Sequence, residues 1–288
     1  MSEPPVKRRL DFFRGAPQIK RLRMGFKRLF NSLLSGTHYR LVNTKDYERI
    51  FAAKDSGINA AQGLGRSITE DLQKIVSAKP PMIFDVGANK GGTYQMFRSL
   101  FPQATIHAFE PDPRVYEKLK AKAGNDPQAH LHQLAVSDSN AELQFHVTQA
   151  SEKNSLLAPL PPGGANPSEA ANALLETIKV QSVTLDDFTA QNSIARIDLL
   201  KMDIEGAEIR ALEGARGLIQ RCAIGCLYLE LTFSRSSAEA PLAAEVISYL
   251  DARGYRLSCL YNLQHSKNSP ALAYCDGLFV PGRAKSAI

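Results

Sequence analysis

Eight consecutive residues, Asp85-Val86-Gly87-Ala88-Asn89-Lys90-Gly91-Gly92, join an acid to a glycine-rich turn. Glycine at the end of a strand lets the chain turn with positive φ and lets a ligand lie against bare backbone where a Cβ would collide. Carboxylates recur downstream. Glu110 lies 23 residues after Gly87, Asp138 follows, and Asp203, Glu205 and Glu208 fall in Lys201-Met202-Asp203-Ile204-Glu205-Gly206-Ala207-Glu208, with Glu230 beyond. A glycine floor ringed by acids suits a ligand that is both hydroxylated and positively charged.

The spacing narrows the ligand further. A dinucleotide-binding loop carries Gly-x-Gly-x-x-Gly to seat a pyrophosphate on a helix N-terminus, and here Asn89 replaces the middle glycine. Asp85 would repel a phosphate, but it suits an ammonium and a sulfonium. S-adenosylmethionine (SAM) has both charges, so SAM is the expected cofactor and a nicotinamide-dependent oxidoreductase is the alternative. On this reading Asp85, Gly87, Ala88, Asn89 and Gly91 form the floor. Glu110 accepts hydrogen bonds from the ribose hydroxyls, and Pro111 ends its strand. Ala135 and Val136 flank the adenine, and Asp138 reaches its amino group.

Methyl transfer to oxygen needs an aligned acceptor and a group to take its proton. Asp203 is the first candidate base and Glu230 the second, with Glu205 and Glu208 as supporting acids at a helix start. Lys201, two residues before Asp203 on the same strand face, could pair with the acid or act as a base itself. Asp203 and Glu230 could also hold a divalent cation such as Mg²⁺, although no residue is assigned as a metal ligand. His107, His132 and His146 read as structural.

These side chains need strand tips to hold them. Met82 to Gly87 is a short apolar run ending in glycine, as a central parallel strand does. A helix follows over 93–100, a strand over 104–109, a helix over 115–123 and a third strand over 131–136. Strand, glycine loop, helix, strand and acid make a βαβ unit. Ser67 to Glu70 reads as a capping box opening an earlier helix. Residues 140–190 interrupt the alternation with strand-like 143–147 and 178–183 around a Pro/Gly-rich run, an insertion expected to shape the substrate site. Alternation resumes with a strand over 197–202, a helix over 207–219, a strand over 224–231, a helix over 238–252 and a final antiparallel pair. The expected architecture is an α/β Rossmann-like domain over 66–288, with a seven-stranded mostly parallel sheet covered by helices on both faces.

Charge sets the N-terminus apart. Residues 1–45 hold eleven Lys/Arg against two acids, a net of +9, while the remainder carries −3. Ile19, Leu22, Phe26, Leu29 and Leu33 recur at helical steps among Lys20, Arg21, Arg23, Lys27 and Arg28. Residues 1–65 therefore read as a basic arm whose amphipathic stretch, 17–35, packs on the domain or docks on an anionic membrane surface. A non-catalytic adaptor using that arm on membrane or RNA is a second alternative, although no specific nucleic acid is expected. No window reaches the roughly 18 apolar residues of a membrane-spanning helix, and no signal-peptide core is evident. The expected location is cytoplasmic, peripheral on the inner membrane surface if the arm docks there. Cys222, Cys226, Cys259 and Cys275 form neither a Cys-x-x-Cys pair nor a zinc pattern and read as buried thiols.

The same residues resemble the FkbM family of SAM-dependent methyltransferases. The resemblance rests on Phe84-Asp85-Val86-Gly87-Ala88-Asn89-Lys90-Gly91, Phe109-Glu110-Pro111, Ala135-Val136-Ser137-Asp138, Val183 to Phe188, and above all Leu200 to Glu208. It spans about 80–282 and implies a class I methyltransferase fold with O-methylation of a hydroxyl on a sugar, glycan or natural product. Lys90 departs from the pattern, where an apolar residue is expected, and the arm lies outside it.

Overall fold

The computed structural model describes residues 67–160, 173–235, 237–266 and 270–282, all within the unit Gly63–Ile288. The basic arm, with its predicted amphipathic stretch at 17–35, lies outside the described residues.

Helix α1 (Ile68–Ile75) begins where expected, with the Ser67 side chain accepting the Glu70 N–H. Strand β1 (Met82–Val86) follows, then α2 (Gly92–Leu100), β2 (Thr105–Phe109), α3 (Pro113–Ala123), β3 (Ala129–His132) and β4 (Ala135–Val136). The insertion supplies β5 (Glu142–Thr148), a short 3₁₀ turn (Ser151–Lys153) and β6 (Leu174–Val183). After it come α4 (Leu185–Gln191), β7 (Leu199–Met202), α5 (Glu208–Glu213), α6 (Arg216–Gln220), β8 (Leu227–Thr232), α7 (Ala243–Asp251), β9 (Tyr255–His265) and β10 (Leu272–Pro281).

Seven strands form one sheet in the order β3-β2-β1-β7-β8-β10-β9. β3, β2, β1, β7 and β8 run parallel, whereas β10 is antiparallel to both β8 and β9. The expected α/β Rossmann-like sheet is therefore present. Successive side chains point to opposite faces. Phe84, Val86, Leu200 and Met202 enter one apolar layer, and Ile83 and Leu199 enter the other. Because both faces are covered, these strands read as largely apolar runs, interrupted in β1 and β7 by Asp85 and Lys201. Strand order reverses between β1 and β7, and ligands of such sheets bind outside the strand C-termini at that reversal.

Three segments differ from the sequence reading. The strand expected over 131–136 is split: β3 stays in the large sheet, while β4 leaves it to pair with β6 beside β5 in a three-stranded sheet. The helix expected over 207–219 breaks at Gly214, where an added Cβ would lie 2.0 Å from the Ser137 carbonyl oxygen. The close approach of that strand end leaves no room for a side chain. The helix expected over 238–252 begins only at Ala243, after Pro241. Of the four cysteines, Cys226 and Cys275 are buried as expected, Cys259 is partly covered and Cys222 is exposed. Among the described residues no helix is long and apolar enough to cross a membrane.

Candidate functional site

The loop after β1 is pinned to the tip of β2. Gly87 N–H and Ala88 N–H donate to the Phe109 carbonyl at 3.1 and 2.9 Å. Asn89 N–H donates to Glu110 Oε2 at 3.0 Å, and Asp112 N–H donates to Glu110 Oε1 at 2.9 Å. Each Glu110 oxygen thus keeps a lone pair for a ligand hydroxyl. Burial pushes the Glu110 carboxyl up to about 7, against the pull of the two N–H donors. Gly87 turns with φ +73, and a Cβ there would sit 2.0 Å from the Asp203 carbonyl oxygen, so the loops after β1 and β7 meet at the reversal point. Asn89 also takes positive φ, +47, and its side chain accepts the Lys90 N–H at 2.8 Å.

A cavity of about 420 Å³ opens over this junction. Gly87, Ala88, Asn89, Glu110 and Pro111 line one side, with Ala135 and Val136 beside them. Lys201, Asp203, Glu205 and Glu230 line the other. Most of the predicted residues are therefore gathered around one space.

Four are not on its wall. Asp85 is fully buried, and its carboxylate lies 3.1 Å from the Lys201 ammonium. The expectation of a direct meeting with a cationic ligand gives way to a structural pairing, because position 85 shares a sheet face and register with Lys201 on β7. Gly91 has φ +80 and packs against Leu119, where a Cβ would come within 2.9 Å. Asp138 is exposed, and its carboxylate accepts from the Ser137 and Ser139 hydroxyls. Glu208 turns back on its own loop, accepting from Ile204 N–H at 3.2 Å and Gly206 N–H at 3.3 Å. That loop needs such support, since Glu205 and Gly206 both have positive φ.

Lys201 is not placed as a base. Its ammonium donates to the Gly87 carbonyl at 2.8 Å and lies 3.9 Å from Asp203. Burial opposes its charge, but Asp85 and Asp203 overcome that cost and hold its pKa above the ordinary lysine value. Glu230 is raised above the ordinary glutamate range by burial and by the nearby Asp203 and Glu205 charges. Asp203 stands at the mouth with its side chain half exposed. His132 stacks between His107 and Phe109, and Phe188 meets these rings edge-on, in keeping with a structural reading.

The sequence reading missed the 3₁₀ turn of the insertion as part of this wall. Ser151, Glu152, Lys153 and Asn154 all line the cavity. Lys153 Nζ lies 2.7 Å from Glu205 Oε1, and Asn154 Nδ2 donates to Asp112 Oδ2 at 3.1 Å. Glu152 pairs with Lys90 at 2.6 Å, which gives the unexpected lysine of the glycine loop a partner across the cavity. No periodicity announces a three-residue turn, and the odd residue Lys90 was the available hint.

Residues 85–257 match the Methyltransferase FkbM domain. The chain is 27% identical over 153 residues to the 2-O-methyltransferase NoeI of Sinorhizobium fredii, covering 52% of this chain and 63% of that protein. It is 36% identical over 179 residues to the 31-O-demethyl-FK506 methyltransferase FkbM of Streptomyces tacrolimicus, covering 54% and 68%. The hexuronic acid methyltransferase AglP of Haloferax volcanii is 22% identical over 174 residues, covering 60% and 63%. The aligned part thus spans about two thirds of the length of these relatives. Since the matched domain takes in the end of β1, the glycine loop, Glu110, the insertion and the Asp203 loop, this chain belongs to the FkbM methyltransferase family.

Proposed function

We propose that the protein is a SAM-dependent O-methyltransferase acting on a hydroxyl of a sugar, glycan or natural product. The observation that carries the reading is Glu110, buried at the cavity edge with one N–H on each oxygen and a lone pair left on each. That arrangement fits the adjacent hydroxyls of a ribose, and Gly87 and Ala88 line the same cavity beside it. The names of the relatives support the reaction class: two are O-methyl transferring enzymes by name, and a third acts on hexuronic acid. Nothing in the family assignment favours the nicotinamide alternative.

Bound SAM supplies an activated methyl group, so the chain has to hold an acceptor in line and take up its proton. Gly87, Ala88, Asn89, Glu110, Ala135 and Val136 would hold the nucleoside. Glu230, whose raised pKa brings it nearer working pH, and Asp203 beside it would take the hydroxyl proton. Lys201 keeps the glycine loop fixed through the Gly87 carbonyl. Thermal-shift comparison tests the cofactor cheaply: SAM should raise the melting temperature and NAD⁺ should not. Stabilisation by NAD⁺ alone would remove the reading.

The basic arm is proposed to dock on an anionic membrane surface, supported by the net charge of +9 over residues 1–45. Co-sedimentation with anionic liposomes should fall when residues 1–43 are deleted, and equal sedimentation would leave docking without support.

A further inference from the structure

Asp203, Glu205 and Glu230 each present an oxygen within 4.8 Å of the other two. Oxygens converging this closely are what a divalent cation needs, since Mg²⁺ and Ca²⁺ bind carboxylates at about 2.0–2.6 Å. In this protein a cationic side chain already pairs with one of them and stands near the other two. Lys153 Nζ lies 2.7 Å from Glu205 Oε1, and its charge also acts on Glu230 and Asp203. The ammonium further lies 5.8 Å from the centre of the Tyr274 ring, a second contact that favours a cation there.

The turn that carries Lys153 is held by neighbouring segments: Asn154 donates to Asp112 and accepts the Thr148 N–H, and Glu152 pairs with Lys90. The Ser155 hydroxyl donates to the Glu205 carbonyl at 3.0 Å, tying the turn to the very loop that carries two of the three acids. Two independent sets of contacts thus hold the ammonium and the acids in register.

Accepting the methyltransferase reading above, we propose that Lys153 is a built-in counter-cation: its ammonium does for Asp203, Glu205 and Glu230 what a divalent metal would otherwise do, so the acceptor side of this enzyme works without metal. Lys153 is a positioning residue, acting through the carboxylates it holds. Three like-charged acids a few ångströms apart would otherwise splay toward solvent, and an ammonium keeps them converging on the acceptor.

Mn²⁺ titration followed by electron paramagnetic resonance tests this on the full chain without needing to know the acceptor. The wild-type protein should bind Mn²⁺ weakly. Lys153→Met should bind it at least about tenfold tighter, because a repelling charge has gone and three oxygens remain. Lys153→Arg should bind as weakly as wild type, and Lys153→Met combined with Glu205→Gln should lose the gain. Wild-type protein that binds Mn²⁺ as tightly as Lys153→Met, or a Lys153→Met variant with no gain, would overturn the proposal. Calorimetry of SAM on the same samples verifies their folding and separates the two readings: failure of wild-type protein to bind SAM sinks the proposed function, whereas the Mn²⁺ result bears on Lys153 alone.

Discussion

The Lys201 ammonium lies 3.1 Å from the Asp85 carboxylate, and both side chains are almost wholly shut off from solvent. The pair links β1 to β7 where the strand order reverses, and the same ammonium donates to the Gly87 carbonyl at 2.8 Å. The charge pair therefore also anchors the glycine loop that follows β1.

Removing one member leaves the other charge buried without its partner. Lys201→Met should destabilise the fold by about 3–5 kcal/mol, and adding Asp85→Asn should return part of that loss. Denaturant unfolding of the two single variants and the double variant measures it. Additive losses would mean that the residues are not coupled.

Gly87→Ala should cost about 3 kcal/mol or more, because the new Cβ would meet the Asp203 carbonyl oxygen at 2.0 Å on a backbone with φ +73. Gly92→Ala, where nothing lies within 4 Å of the added carbon, is the control and should unfold as wild type does. Equal melting temperatures for Gly87→Ala and Gly92→Ala would contradict the packing at the reversal point.

Asp203→Asn should leave SAM binding intact and abolish turnover. Glu230 titrates above the ordinary glutamate range because it is buried among Asp203 and Glu205. A base must be deprotonated to act, so kcat should fall as pH drops through this raised value, and Glu230→Gln should remove that acid limb together with most of the rate. An acid limb at the ordinary glutamate pKa would argue against Glu230.

If Glu110 holds the ribose as proposed, its carboxyl, pushed up to about 7, should make SAM affinity itself pH-dependent. The ribose hydroxyls donate, so the ligand prefers the carboxylate. As pH falls below about 7 the proton has to be removed first, and the Kd should rise, approaching about tenfold per pH unit. A Kd that is flat from neutral pH to pH 5.5 would place the hydroxyls elsewhere.

Strand tips were legible because β1, β2 and β7 are short apolar runs ending in glycine or acid, and that pattern has one physical reading in a sheet covered on both faces. Glu110 followed from its distance to Gly87. What could not be read was which carboxylates turn inward. Asp85 and Glu208 look like site acids in sequence, yet one pairs with Lys201 and the other caps its own loop. Those outcomes depend on cross-strand register and on positive φ at Glu205 and Gly206, and neither has a local signature. The turn carrying Lys153 was hidden for the same reason: it reaches Glu205 across 52 residues of chain.

Isothermal titration calorimetry of SAM against wild-type and Glu110→Ala protein addresses the central claim most directly. Two hydrogen bonds to a charged group are lost in the variant, so its affinity should drop by about a hundredfold or more while the fold survives. Unchanged affinity in a folded Glu110→Ala variant would contradict the account.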